Sequence, residues 1–404
     1  MKFEPERVKG FPEFLPPESE KREAIKQIIE KNFKLYGFLP VETPTIEYDE
    51  LMRSDSLEED EAISERFRLK DRAGRNLGLR YEFTFQLARI FKQNPNLKLP
   101  FKKYQIGKVF RDEPTSQGRY KEFTQCDIDI IGDSSPKSDA ECLAVFLGIL
   151  KELNISAEIE VNNKKLLNSI IESCQIQNKK AVMQELDKLD KIGEDELKTN
   201  LKKYADTYQI MTLFKLLGKD LDFFVENLFE GAEEIKKLQE LLKYYGGKIK
   251  FNPFLARGLS YYTGNIFEIK FSGNKKSIGG GGRYDDAVGK YLYKELPAVG
   301  ISFGLERLTE MSNIKPENIK VMLISIEQDK ETIKLAQKLR KSNISCLTML
   351  GKTSKSIEYA NIQEIQNVIF IGSQEVEKKK FKLKNMSSGE EKFLTEIQLI
   401  KKLK

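Results

Sequence analysis

YQIGKVFRDEPTSQGRYKEFTQCDIDIIG, Tyr104 to Gly132, consists of two strand-forming stretches around a polar loop. The loop holds Pro114, Ser116, Gln117 and Gly118, residue types that reverse a chain, so the segment predicts an antiparallel hairpin. Side chains alternate across a strand. In the second half Cys126, Ile128 and Ile130 are apolar and face a core, while Phe123, Gln125, Asp127 and Asp129 share the opposite face. In the first half Arg111 and Glu113 share a face. With both polar sides on one surface, the hairpin presents a cation, carboxylates, an amide and an aromatic ring. A solvated antiparallel face would alternate in the same way. Such a face is built of Lys, Glu and Thr, however, and this mixture reads instead as a platform for a ligand. Arg119 and Lys121 in the loop are placed to reach phosphates.

Further segments fit the same surface. LRYEFT, Leu79 to Thr84, ends a strand-like run and sets Glu82 and Thr84 two residues apart on one face. RGLSYYTGNIFE, Arg257 to Glu268, reads as a cation on a tight turn, then aromatic hydroxyls (Tyr261 and Tyr262) held on a rigid strand. Its glycines let a ligand approach the backbone closely. GISFGLERL, Gly300 to Leu308, opens a helix after its glycines and carries Arg307 in the early turns. GGGGRYDDAVG, Gly279 to Gly289, has neither the P-loop Lys-Ser/Thr nor GxGxxG spacing. Its four glycines are read as a close-packing device between strand and ligand.

An amphipathic helix is predicted from about Glu18 to Tyr36, with Ala24, Ile25, Ile28, Ile29, Phe33 and Leu35 as its apolar stripe. Pro16 and Pro17 precede it, Gly37 follows, and Pro40 and Pro44 then hold the chain extended. Residues 164–250 are rich in Lys, Glu and Leu at helical spacing, which predicts a helical insertion. Strand-like text returns from about 254 to 272, and a Gly-rich turn and a helix close this part near 312. Beyond Pro316 strands and helices alternate (NIKVMLISI, Asp329–Lys341, ISCLTML, Ser354–Asn361, NVIFIG), predicting a small α/β domain with a largely parallel sheet. The expected division is thus a core in two parts, 1–163 and 251–315, an insertion at 164–250, and an α/β domain at 316–404.

The 404 residues contain no histidine and no tryptophan. That excludes Ser-His-Asp and Cys-His chemistry, imidazole metal ligands and the usual neutral-pH proton shuttle. Catalysis here must rest on carboxylates, arginines, tyrosines and bound metal. The four cysteines are scattered without a CxxC pair, so neither a disulfide framework nor a structural zinc site is expected. The formal charge is +6, and residues 378–404, with nine lysines against three glutamates, carry a net +6 by themselves. This basic tail suits a phosphate backbone as well as a solvated face. MKFEPERVKG is charged from its second residue and no apolar run approaches membrane-spanning length, so a cytoplasmic protein is expected.

Taken together these segments resemble the class II aminoacyl-tRNA synthetases, and within them the histidyl-tRNA synthetase family. The hairpin is similar to the second class II signature, GISFGLERL to the third, and the helix at 18–36 with the Pro44 strand to the first. RGLSYYTG beside GGGGRYD resembles the pair of segments that marks the histidine-specific branch. The resemblance spans nearly the whole chain. It implies an α+β catalytic domain built on an antiparallel sheet, with a helical insertion and a C-terminal anticodon-binding-like α/β domain. It also implies ATP as substrate with Mg²⁺, histidine and tRNA-His as partners, and a homodimer formed through residues 18–50.

By the same resemblance, Arg111 would bind the ATP α-phosphate and Glu113 the adenine or ribose side. Phe123 would stack on adenine with Arg307 on its other side, and Arg119 would meet the outer phosphates. Glu82, Thr84 and Gln125 would secure the α-amino group of histidine, and Asp129 and Tyr262, beside Tyr261, would form the imidazole pocket. Arg257 would stabilise charge at the α-phosphate. No metal-ligand set within the protein is implied. Ser260 stands where the family often has Asp, Tyr81 and Phe83 where Pro and Gly are frequent, and Asp129 where many members have Glu. A non-catalytic regulatory subunit of ATP phosphoribosyltransferase, or an RNA-binding sensor, would share the fold. The presence of Arg111, Arg257 and Arg307 together with a C-terminal domain favours the enzyme.

Overall fold

The computed structural model describes residues 4–52, 66–116, 118–257, 262–272, 276–289, 292, 295–316 and 319–404. The chain divides into two compact units, Met1–Ile314 and Lys315–Lys404. The first contributes β1 (Leu39–Pro40), β2 (Ile46–Tyr48), β3 (Arg68–Lys70), β4 (Asn76–Leu79), β5 (Phe101–Phe110) and β6 (Glu122–Ile131). It continues with β7 (Ala157–Asn163), β8 (Lys250–Phe251), β9 (Asn265–Phe271), β10 (Ser277–Arg283) and β11 (Ala298–Gly304). Eight of these form one sheet in the order β1-β5-β6-β11-β10-β9-β7-β8. Every pairing from β5 through to β7 in that order is antiparallel, and β1 and β8 join the two ends in parallel. A small separate sheet runs β2-β4-β3.

The Tyr104–Gly132 segment forms most of the β5–β6 hairpin, the second and third strands of the large sheet. Its register sets Lys103 against Asp129, Gln105 against Asp127 and Val109 against Phe123. Cys126, Ile128 and Ile130 are buried in the core, so the period-two pattern fixes which face is wet. On the core side lie the helices Glu18–Leu35 and Pro136–Glu152. Ile25, Ile29 and Phe33 from the first meet Phe146 from the second, whose ring lies 4.0 Å from that of Phe303 on β11. Leu35, expected in the apolar stripe, is exposed instead: two residues past the buried Phe33, it lies about 200° round the helix from the face that carries Ile25, Ile29 and Phe33.

Between β7 and β8 run helices from Lys164 to Tyr244. Local capping starts several of them: Asn163 accepts from Lys165 N–H, Asp220 from Phe223 N–H, and Asp206 exchanges bonds with Gln209 in a capping box. Their apolar residues (Leu166, Ile170, Leu213, Leu238) belong to the same hydrophobic cluster as the sheet.

Other local expectations change. Gly279–Gly282 form no turn: they lie within β10, a central strand paired on both sides. The strand after Arg257 starts only at Asn265, so Tyr262 precedes it. Arg111 and Glu113 lie just past the end of β5, although Arg111 N–H still bonds Lys121 O at 2.8 Å. Glu82 and Thr84 are not on a strand: β4 ends at Leu79, and Thr84 takes a helical conformation as the N-cap of the helix Phe85–Gln93.

The second unit has β12 (Val321–Ser325), β13 (Cys346–Met349), β14 (Asn367–Ile371), β15 (Phe381–Asn385) and β16 (Glu391–Leu394) in the order β13-β12-β14-β15-β16. The first three are parallel, as expected, and β15 and β16 add an antiparallel hairpin. The lysine-rich segment is therefore folded. After β16 it closes with a helix, Glu396–Leu403, whose Leu399 and Leu403 are buried in the unit's core. Lysines placed between the apolar positions hid this periodicity.

Candidate functional site

On the polar face of the main sheet lies a cavity of about 450 Å³. It is lined by Glu82, Thr84, Arg111, Glu113, Arg119, Phe123, Gln125, Asp129, Arg257, Tyr262 and Arg307. Tyr261 lies outside the described residues. β6, β11, β10 and β9, neighbours in the sheet, supply the floor, and the loop before the helix Phe85–Gln93 adds Glu82 and Thr84 beside it.

One end collects arginines. Arg111 donates from Nε to Tyr81 O at 3.2 Å, and its guanidinium stands 5.2 Å from the centre of the Phe123 ring. Glu113 pairs with Arg119, and its other oxygen is 3.9 Å from Arg111 Nη1. Arg257 Nη1 donates to Glu268 Oε1 at 2.5 Å and to Ser277 Oγ at 2.8 Å. Arg307 donates to Ser277 O. Burial, and then repulsion from Arg257, Arg119 and Arg111, pull the Arg307 guanidinium below its ordinary pKa. Four guanidinium groups thus converge against two carboxylates, Glu113 and Glu268, an excess suited to a polyanion.

The other end collects carboxylates. Asp129 is 2.7 Å from Lys103 Nζ, the buried cation opposite it in the hairpin, and accepts from the Tyr284 hydroxyl. Asp127 accepts from Ser302 Oγ, which in turn accepts from Gln125 Nε2 at 3.2 Å. Burial, and then the charge of Asp129, push the Asp127 carboxyl up to about 8. Glu82 Oε1 accepts from Phe85 N–H at 2.8 Å, which ties it to the start of the helix, and burial raises its pKa. Burial also raises that of Tyr262. Against Glu82, Asp127 and Asp129 stands one buried cation, Lys103, so this end favours a ligand rich in N–H donors or positive charge.

Two glycines shape the space. Gly300 pairs with Asp129, and a Cβ there would lie 2.1 Å from Asp129 Oδ1. On the same face of the sheet, a Cβ on Gly282, which pairs with Gly300, would lie 2.8 Å from the Tyr262 ring. The glycine-rich strand therefore makes a flat part of the floor where side chains at Gly280 and Gly282 would enter the cavity.

Reading the segments separately passed over Lys103, Glu268, Tyr284, Ser302 and any role for Asp127. Lys103 follows from the hairpin register, once the loop length is fixed. Tyr284 was visible as the aromatic after GGGGR. Ser302 and Glu268 become neighbours of the site only through the β6–β11 and β9–β10 pairings.

A family model described as histidyl-tRNA synthetase matches residues 10–308, and another described as anticodon binding domain matches residues 319–404. The chain is 38% identical over 414 residues to histidine–tRNA ligase 1 of Bacillus cereus strain ATCC 10987, covering 96% of this chain and 95% of that protein. It is 35% identical to the histidine–tRNA ligase of Finegoldia magna, with 100% of both chains covered. The fold matches a solved histidyl-tRNA synthetase from Nostoc sp. PCC 7120 with a TM-score of 0.89 and 28% identity, covering 100% of this chain and 99% of that one.

Proposed function

The chain belongs to the histidyl-tRNA synthetase family, and from that premise we propose how its cavity divides the work of the reaction. The activity is ATP-dependent joining of histidine to tRNA-His, with AMP and diphosphate released. ATP lies at the arginine end: Arg111 and Arg257 take the α-phosphate, Arg119 the outer phosphates, and Phe123 and Arg307 enclose adenine, with Glu113 on the adenine or ribose side. Histidine lies at the carboxylate end, its ammonium on Glu82, Thr84 and Gln125 and its imidazole on Asp129 and Tyr262. The observation that supports this division is the separation of charge along one cavity, four guanidinium groups at one end and three carboxyl groups at the other.

Geometry alone supports the first step without an enzyme histidine. The carboxylate of the amino acid is already ionised near neutral pH and attacks the α-phosphorus in line, expelling diphosphate. Arginines stabilise the charge that builds there. In the second step the terminal ribose hydroxyl of tRNA attacks the carbonyl carbon and AMP leaves, with a phosphate oxygen of the adenylate taking the proton. Among the described residues no group of three or more His, Cys, Asp or Glu side chains could hold a metal ion. Mg²⁺ would come with the ATP phosphates and would supply charge neutralisation there.

The 319–404 unit is assigned to the anticodon, with the exposed Lys352 and Lys355 at the start of the helix Thr353–Ile362 as phosphate-binding cations, and the helical insertion to the tRNA arm. A homodimer is supported by the exposed Leu35, Leu39, Ile46 and Tyr48, all within the region assigned to the interface. No helix among the described residues is long and apolar enough to cross a membrane, and we place the protein in the cytoplasm, where its tRNA substrate is. ATP–pyrophosphate exchange tests the reading. Exchange with histidine and none with the other amino acids is expected. No exchange with any amino acid would overturn it in favour of a regulatory role.

A further inference from the structure

We infer that Glu268 is the positioning residue for Arg257, holding its guanidinium where the α-phosphate reacts; this rests on the assignment of Arg257 above. Glu268 sits on β9 opposite Gly280, whose missing side chain leaves room for the carboxylate beside the cavity. It is 5% exposed. Arg257 by contrast has a half-exposed side chain, so local packing does little to fix its rotamer. Its orientation comes from Nη1, which meets Glu268 Oε1 at 2.5 Å and Ser277 Oγ at 2.8 Å.

The carboxylate is itself held in place. Its second oxygen lies 3.5 Å from Lys270 Nζ, and Lys270 is anchored at 3.0 Å to Glu160 and at 3.3 Å to Asp190. Asn252 donates to the same Glu160 oxygen at 2.7 Å. The opposing force is also present: Arg257 acts as a like charge on Arg307, which donates to the carbonyl of the same Ser277. Without Glu268 that repulsion and open solvent would draw Arg257 outward. With it, the cation is organised before substrate arrives, which is the condition for charge stabilisation to help the transition state more than the ground state.

Glu268→Gln keeps the shape and removes the charge. In histidine-dependent ATP–pyrophosphate exchange its kcat should fall about 10- to 100-fold, the usual consequence of misplacing a reacting group by an ångström. KM for ATP and histidine should change less than about threefold, because ground-state interactions remain. The decisive comparison is the double variant. If Glu268 acts through Arg257, Glu268→Gln should lower kcat less than about twofold in an Arg257→Ala background. Ser277→Ala, which removes the other anchor, should reproduce the kcat loss in milder form and serves if Glu268→Gln does not fold. A wild-type rate for Glu268→Gln beside an impaired Arg257→Ala would overturn the inference and leave the site assignment standing. Additive losses in the double variant would overturn it too. Arg257→Ala at the wild-type rate would instead refute the assignment of Arg257 itself.

Discussion

Asp127→Asn should flatten the alkaline side of the stability profile. Burial first, and the charge of Asp129 second, hold the Asp127 carboxyl at about 8 in the folded protein, against about 3.9 for an unfolded chain. The folded state therefore keeps a proton that the unfolded state has released. With the folded pKa raised, the stabilising contribution is fully present below the unfolded pKa and is lost as pH rises through the folded one. Between about pH 7 and about pH 9.5 the folded carboxyl goes from mostly protonated to mostly ionised, while the unfolded one is ionised throughout. Linkage over that window gives a loss of about 1.4 kcal/mol. Asparagine has the same shape, can accept from Ser302 Oγ and cannot ionise. Cysteines, lysines and tyrosines that titrate in the same window do so in both proteins and cancel in the difference. Urea unfolding of each protein at the two pH values measures it. The wild type should lose about 1.4 kcal/mol more than Asp127→Asn between them. Equal losses, within about 0.5 kcal/mol, would refute the reasoning, since Asp127 would then be ionised at neutral pH like a surface carboxylate.

Gly300→Ala should push Asp129 off Lys103, since the new Cβ would stand 2.1 Å from Asp129 Oδ1; it should raise the histidine KM about tenfold or more and cost about 1–3 kcal/mol in urea melts. Lys103→Met, which strands Asp129 without its buried partner, should destabilise by about 3–5 kcal/mol, and adding Asp129→Asn should restore much of that. Replacing Lys352 and Lys355 by alanine should weaken tRNA binding and make the slope of log K against log salt less negative by roughly 0.7–0.9 for each phosphate no longer neutralised, with ATP–pyrophosphate exchange unchanged.

The parts of this molecule that the sequence revealed are those carried by strict periodicity. The hairpin declared both faces because Cys126, Ile128 and Ile130 alternate with Gln125, Asp127 and Asp129. The helix Asp329–Lys341 was legible to the residue from its spacing. Glycine was the main source of error. Four in succession read as a turn as well as a close-packing device, and only the second holds: Gly279–Gly282 form a central strand, hydrogen-bonded on both sides, where added side chains would meet close neighbours. Lysine misled in the opposite way. From Lys378 onward it suggested a solvated tail, while Leu383, Leu399 and Leu403 folded that segment onto the sheet. Glu82 and Thr84 lie in the cavity for a reason strand alternation does not describe: they lead into a helix whose first turn fixes the Glu82 carboxylate.

What no single segment could reveal is the electrical arrangement of the site, because it is a property of pairing. Lys103 and Asp129 are 26 residues apart in sequence and face each other only through the β5–β6 register. Glu160 anchors Lys270 beside Glu268, and Ser277 meets Arg257, only because β9 lies between β7 and β10. The same sheet carries both pairs on one surface, and that explains how a chain without histidine can activate an amino acid. The nucleophile brings its own charge, so the protein has no proton to remove before the first bond forms. Its task is to keep cations at one end and carboxyl groups at the other, despite their mutual attraction, until substrates of complementary charge lie between them. A rigid antiparallel sheet can keep that separation, because moving either set closer would require breaking the strand register that buries the other face.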